Sequence, residues 1–360
     1  MLERIAEGRA ELWRYPLSQP VGGSGLQEVK LVVVEIELSN GLKGLGFSYI
    51  LTGAAEPALT AAQHILSNTI IGSNFVHPLA MWRKLNKTLN RVGKGPNYIA
   101  YAAIDTCLWD LYGKFLDLPS GIAMGGEPCT IPVYGSGNFH AHQLPEEAAQ
   151  AAFDYAQQGV KAVKLRVSGQ QKDAEVLRAV REALPPDVFI MLDANERCDL
   201  CRAQWLVEES AKAGVLFVEE PLAADNVDGY RKLAAASPVA IATGEHLQGS
   251  KQGAVFVKDG LCSVIQPDLA MMGGLTECWR LTQLAEHCGI DVAPHFLPSI
   301  FIHLAAASPN LTWLEHFPLL EPLFKEPLMM DDHGNMSLPE SPGIGIKWAD
   351  GAREEFLVNV

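Results

Sequence analysis

FIMLDAN (189–195), VLFVEEP (215–221) and AIATGEH (240–246) are three short apolar runs, and each ends in acid. Asp193, Glu219 and Glu245 stand 26 residues apart. That interval is the length of one strand, one loop, one helix and a second loop, so the spacing reads as successive βα units. If the runs are neighbouring parallel strands, all three carboxylates emerge at the same end of one sheet. Three anionic oxygen donors at one point repel unless a cation joins them. A hard divalent ion, Mg²⁺ before Mn²⁺ or Ca²⁺, suits an all-carboxylate set. The competing reading, ordinary strand-end acids facing water, does not account for the regular period.

Working outward, the alternation continues in both directions. Strand-like runs begin near IPVYG (131), AVKLRV (162), FIMLDAN (189), VLFVEEP (215), VAIATG (239), CSVIQPD (262), DVAPHF (291) and LTWLEHF (311). Helical stretches such as DAEVLRAVREAL and TECWRLTQLAEHCG separate them. Eight such runs are what a closed βα barrel requires. An open doubly wound sheet would carry a G-x-G-x-x-G loop after its first strand, and GSGNFHA (135–141) lacks that spacing.

Residues 1–126 read differently. LVVVEIEL (31–38) is a strand run, and the glycines of SNGLKGLGFSY predict a hairpin after it. SQPVGGSGLQ (18–27) reads as a flexible loop, 55–68 and 78–92 as helices, and YIAYAAIDTCLWDLYGKFL (98–116) as a helix buried on more than one side. Strands followed by a run of helices predict an α+β domain. No helix pattern follows the eighth run, and the Pro- and Gly-containing tail is expected to run back to this domain.

The 360 residues, 48% hydrophobic and 19% charged, suffice for two domains or a barrel with an addition. A net charge of −14 leaves no electrostatic footprint for nucleic acid or an anionic membrane. No apolar run approaches the roughly 18 residues of a membrane span. The first 20 residues scatter their charges and do not read as a signal peptide. Seven cysteines without a framework suit a reducing cytoplasm, and the isolated Cys198-x-x-Cys201 reads as chance.

Active sites of βα barrels lie at the C-terminal ends of the strands. The polar residues there are Lys164 and Arg166, Asp193 and Asn195, Glu219 and Glu220, Glu245 and His246, Asp268, His295, and Glu315 and His316. With Lys164-x-Arg166, Asp193-x-Asn195, Glu219-Glu220-Pro221, Gly244-Glu245-His246, Asp268, His295, Glu315, the 98–114 helix and Gly273-Gly274, the chain resembles the enolase superfamily, mandelate racemase subgroup, along nearly its whole length. The resemblance implies a modified TIM barrel, (β/α)7β, over 127–318, with an α+β capping domain over 1–126 completed by 319–360. It also implies one Mg²⁺ held by Asp193, Glu219 and Glu245, and a homo-oligomer acting on a small carboxylate.

Family members remove the proton beside a carboxylate to give an enediolate, and a divalent cation stabilises the added charge. His295 is the candidate base, with Asp268 orienting its imidazole. Glu315 matches the position that hydrogen-bonds the substrate carboxylate, and is expected to be protonated because nearby anions raise its pKa. The family's second lysine, the opposing base, is Arg166 here, and a guanidinium is a poor proton acceptor. That departure weakens racemisation, unless Lys164 takes over, and leaves a syn elimination by His295 intact. QPDLAMMGG lacks the sixth-strand lysine of muconate-cycloisomerase-like members. The reading is a Mg²⁺-dependent acid-sugar dehydratase giving a 2-keto-3-deoxy acid; the alternatives are a racemase or epimerase and a non-catalytic metal-binding homologue. Arg166 is assigned to a substrate carboxylate or hydroxyl, or else to a salt bridge with a metal-ligand acid. Asn195 and His246 are further substrate contacts, and His140 and His142 are loop histidines within possible reach. Segment 18–27 and the residues near Tyr49 are expected to close over the substrate.

Overall fold

The computed structural model describes residues 3–21 and 25–359. Three antiparallel strands, β1 (Ile5–Val21), β2 (Leu26–Leu38) and β3 (Lys43–Ile50), open the chain in the order β1-β2-β3. The hairpin predicted from its glycines joins β2 to β3. Segment 18–27, expected to be a loop, is strand up to Val21 and again from Leu26; its residues 22–24 lie outside the described ones. β1 shows no alternating apolar run because its buried residues, Ile5, Leu12 and Trp13, are spaced among charged ones; a backbone ladder holds it to β2, with Arg9 beside Glu35 at 3.3 Å and Arg14 beside Glu28 at 3.4 Å.

Helices α1 (Glu56–Ile65) and α2 (Pro78–Asn86) follow, and each ends early, in a π turn over 66–70 and a 3₁₀ turn over 88–91. Helix α3 (Pro96–Leu116) is buried on most of its circumference. It packs against β3 at glycines. A Cβ on Gly46 would stand 2.2 Å from the Cys107 nitrogen, and one on Gly44 2.7 Å from Leu111 Cβ. With Gly44 and Gly46 turned to α3, the period of two turns Leu45, Phe47 and Tyr49 the other way, into the cluster shared with the barrel and tail. The short α4 (Ser120–Ala123) leads out of the cap.

The barrel strands are β4 (Thr130–Gly135), β5 (Ala162–Arg166), β6 (Phe189–Asp193), β7 (Phe217–Glu219), β8 (Ala240–Thr243), β9 (Val264–Ile265), β10 (Asp291–Val292) and β11 (Leu314–His316). All eight expected runs are strands, paired in parallel in the order β10-β9-β8-β7-β6-β5-β4-β11. A parallel bridge from Val292 to Leu311 closes the ring. The helices between them are α5 (Pro145–Gln157), α6 (Gln171–Ala183), α7 (Leu200–Lys212), α8 (Val227–Ala234), α9 (Ser250–Lys258), α10 (Leu269–Met272) with α11 (Leu275–His287), and α12 (Pro298–Ala306). No helix follows β11 directly. The tail instead pairs β12 (Asn335–Ser337) with β4 and ends in α13 (Ala352–Phe356). Its Trp348 ring lies 4.8 Å from Trp13 and 5.4 Å from Phe47, and Val358 N–H donates to the Leu12 carbonyl at 2.8 Å. Each such aromatic adds roughly 1.5–3 kcal/mol when fully buried. Among the described residues no helix is long and apolar enough to cross a membrane. All seven cysteines are free.

Candidate active site

Parallel register delivers the strand-end residues to one mouth. Arg166 stands beside Asp193, Asp193 beside Glu219, and Asp268 beside His295, each pair on adjacent strands or their extensions. Glu315 sits opposite Tyr134, which closes the circle. Lys164, Arg166, Asp193, Glu219, Glu245, Asp268, His295 and Glu315 are thereby brought together. Asn195 and His246 stand on the rim, where both line a cavity.

Lys164 is 1% exposed. Its Nζ lies 2.8 Å from Glu219, 3.0 Å from Glu315 and 3.8 Å from Asp193. Burial alone would lower its pKa, but Glu219 and Glu315 raise it well above the lysine range. Lys164 is thereby paired as a cation with Glu219 and Glu315. Arg166 Nη1 stands 2.6 Å from Asp193 Oδ2, the salt bridge of its two assignments, and Arg166 also lines the cavity. Glu219 further accepts from Gln266 Nε2 at 2.6 Å. Burial pushes the Glu219 carboxyl upward, Lys164 opposes that, and Asp193, Glu245 and Glu315 add to it.

The expectation for Glu315 is overturned. Burial raises its pKa, yet Lys164 and His295, the Ser136 hydroxyl (2.7 Å) and the Phe296 N–H (2.8 Å) outweigh that and hold it at about 2. The donors and cations around it outweigh burial and favour its charged form.

Two histidine–carboxylate pairs face the mouth. His295 Nδ1 lies 2.9 Å from Asp268 Oδ2, leaving Nε2 3.4 Å from Glu245 Oε2. Burial would lower the His295 pKa, but Glu245, Asp268 and Glu315 carry it to about 10. His246 Nδ1 lies 2.9 Å from both oxygens of the buried Glu220, whose hydrogen bond raises the imidazole to about 9. Asn195, Glu196 and Glu220 hold φ of 47°, 62° and 39°, a left-handed backbone that side chains disfavour. That turn brings donor atoms of Glu196, Glu220 and His246 within 4.8 Å of one another.

Among the described residues that trio, and not Asp193, Glu219 and Glu245, converges to such a distance. Glu219 is turned to Lys164 and Gln266, and Asp193 to Arg166. The three acids nevertheless fit a hard cation. Asp193 Oδ2 and Glu245 Oε2 are buried without a hydrogen-bond partner; Arg166 and His295 approach them as charges but are not aligned as donors. Buried, unsatisfied carboxylate oxygens in an all-oxygen set are what a divalent ion satisfies.

Two adjoining cavities of about 260 Å³ each share Leu51, Thr52, Glu245, His246 and His295. His140 and His142 line neither. Sequence reasoning missed Ser136, Gln266, Arg197 and the hydroxyl of Tyr49 as members of the site. Gln266 could have been found as the polar end of CSVIQPD. Nothing local marks Tyr49, whose partner Asp268 is 219 residues away.

The sequence matches the family model for the mandelate racemase/muconate lactonizing enzyme N-terminal domain over residues 9–124, and the enolase C-terminal domain-like model over 146–352. L-talarate/galactarate dehydratase of Salmonella typhimurium is 31% identical over 98% of this chain and 90% of its own length. Arabinonate dehydratase of Saccharolobus solfataricus is 28% identical over 92% of each. Among solved structures, L-talarate dehydratase from Polaromonas sp. JS666, crystallised with Mg and L-glucarate, superposes with a TM-score of 0.93 at 29% identity, covering 99% of this chain and 98% of that one.

Proposed function

The chain belongs to the mandelate racemase/muconate lactonizing enzyme family of the enolase superfamily, and we propose that it is a Mg²⁺-dependent acid-sugar dehydratase. One observation carries the choice of elimination over racemisation. Arg166, at the position of the family's opposing lysine, cannot accept a proton, while His295 turns Nε2 toward the carboxylate cluster with Asp268 behind its Nδ1. One proton-transfer group suffices for a syn elimination but not for a two-faced exchange.

Asp193, Glu219 and Glu245 are the proposed ligands of Mg²⁺, which when bound supplies positive charge that stabilises the developing anion and offsets the field raising His295. His295 Nε2 then takes the proton α to the substrate carboxylate. The bond from the β-carbon to its hydroxyl breaks, and the same proton leaves with that hydroxyl as water. The enol left behind gives up its hydroxyl proton, gains one at the former β-carbon and becomes the 2-keto-3-deoxy acid. Asp268 keeps the Nδ1 proton in place and stabilises the imidazolium. Lys164 stands between Glu219 and Glu315, 2.8 and 3.0 Å away. Arg166, Asn195 and His246 line the space where sugar hydroxyls bind. The same reading has 1–126 and 319–360 as cap, 127–318 as barrel, and a homo-oligomer in the cytoplasm without nucleic-acid or membrane partners.

The test is a library of aldonates and aldarates incubated with Mg²⁺-loaded protein, with 2-keto acid read as its semicarbazone. Turnover of one or a few sugars, reduced at least about 10³-fold in His295→Asn, is the expected result. Deuterium entering the α-carbon from D₂O without keto product would instead establish a racemase or epimerase.

A further inference from the structure

Asp268 takes three donors. Met271 N–H reaches Oδ1 at 2.8 Å, His295 Nδ1 reaches Oδ2 at 2.9 Å, and the Tyr49 hydroxyl donates to the same Oδ2. Tyr49 comes from β3 of the cap, brought there by the alternation that turns Gly44 and Gly46 to α3. It is 5% exposed, and burial beside Asp268 raises its phenol well above the ordinary range, so it is always the donor. Its ring meets Phe296 edge-on, with centroids 5.2 Å apart and planes at 88°. Phe296 and the next residue, Leu297, hold φ of 59° and 46°. Two bulky side chains in succession in the left-handed region cost of order 1–3 kcal/mol each, so neighbouring contacts must hold the turn. Those contacts are the Phe296 N–H to Glu315 and the Tyr49 ring. His295 immediately precedes this turn.

We propose that Tyr49 is a positioning residue: its hydroxyl fixes the rotation of Asp268 and its ring braces the Phe296 turn, so that His295 Nε2 faces the carboxylate cluster only when the cap is seated on the barrel. The inference rests on His295–Asp268 being the proton-transfer pair. Without Tyr49, Asp268 keeps Met271 on Oδ1 and His295 on Oδ2 but loses the donor from the cap that fixes the angle at which Oδ2 meets the imidazole. With its proton directed at Asp268, the Tyr49 hydroxyl faces the cavity it shares with Glu245 and His295 as an acceptor. Seating of the cap is thereby written into the alignment of the base.

Two measurements on Tyr49→Phe, which keeps the ring and loses the donor, test this, with Tyr49→Leu removing both. In the resting protein, the imidazole Nδ1–H signal of ¹⁵N-histidine, assigned by its loss in His295→Asn, is expected to shift in Tyr49→Phe and to broaden or vanish in Tyr49→Leu. On a turned-over sugar, kcat is expected to fall about 10- to 100-fold with KM within about threefold. A raised KM with unchanged kcat would make Tyr49 a substrate contact and overturn the proposal. An unmoved imidazole signal with unchanged kcat would make it a passive core residue. If wild-type protein turns over no acid sugar, the dehydratase reading fails. The imidazole signal still decides on Tyr49: a shift upholds the positioning of His295, and no shift overturns it.

Discussion

At the junction of cap, barrel and tail, three buried ionisable side chains find all their partners within the chain. Asp105 accepts from Thr276 N–H and its hydroxyl, both at 2.7 Å. Asp110 accepts from the N–H groups of Leu45 and Ile344 and from Lys114 Nζ, tying β3, the tail and α3 together. His303 accepts from Gly121 N–H at 3.2 Å and pairs with the Ile344 carbonyl at 3.0 Å. At the barrel mouth the carboxylates are buried too, yet Asp193 Oδ2 and Glu245 Oε2 have no aligned hydrogen-bond donor, only the charges of Arg166 and His295 beside them. Burial of charge is thus not itself the mark of a site. The mark is a buried anion that its own chain does not satisfy.

Asp105→Ala puts the largest strain on that contrast. It leaves two buried donors on Thr276 unpaired and opens a void, at a cost of about 3 kcal/mol. Denaturant unfolding should show that loss, while kcat of the folded fraction stays within about twofold. A fall in kcat at unchanged stability would break the comparison, since the junction would then belong to the chemistry.

His303 sharpens the contrast by pH. Burial lowers its pKa to about 4, against an ordinary value near 6.5. Between those values the unfolded chain binds a proton that the folded one refuses, so stability rises with pH over that window. On acidification from about 6.5 to 4, stability should drop by on the order of 3 kcal/mol from this group alone. In His303→Gln the slope over the same window should flatten. An unchanged slope would place the acid sensitivity elsewhere.

The mouth should respond to cation where the junction does not. Mg²⁺ at 100 times its Kd should stabilise the wild-type protein by about 2.7 kcal/mol. Glu245→Gln should lose most of that gain, and Asp105→Asn should keep it. Thermal unfolding with and without Mg²⁺ reads both, and equal gains in the two variants would remove Glu245 from the proposed ligands.

Much of this was legible in the chain because a βα unit writes one strand end per period. Asp193, Glu219 and Glu245 announce themselves by spacing, and Asp268 and His295 by ending successive runs. β1 was not legible, since its buried Ile5, Leu12 and Trp13 are spaced among charged residues and a backbone ladder holds it to β2. The charge of Glu315 was misread for a related reason. It is set by Ser136, Lys164 and the Phe296 N–H, from three separate stretches, and counting nearby acids does not weigh them. Tyr49 escaped because its hydrogen bond is a property of how two domains meet.

The tail that covers Trp13 and Phe47 has a consequence for biosynthesis. β1, β2 and β3 are made before the barrel, but Phe324, Trp348 and Phe356, which cover their barrel-side face, are translated only after it. At ribosomal rates of roughly 5–20 residues per second, that face waits on the order of 15–60 s for its cover. A nascent chain with an unclad aromatic sheet for that long is a natural client for a holding chaperone. The cap is begun before the barrel and finished after it.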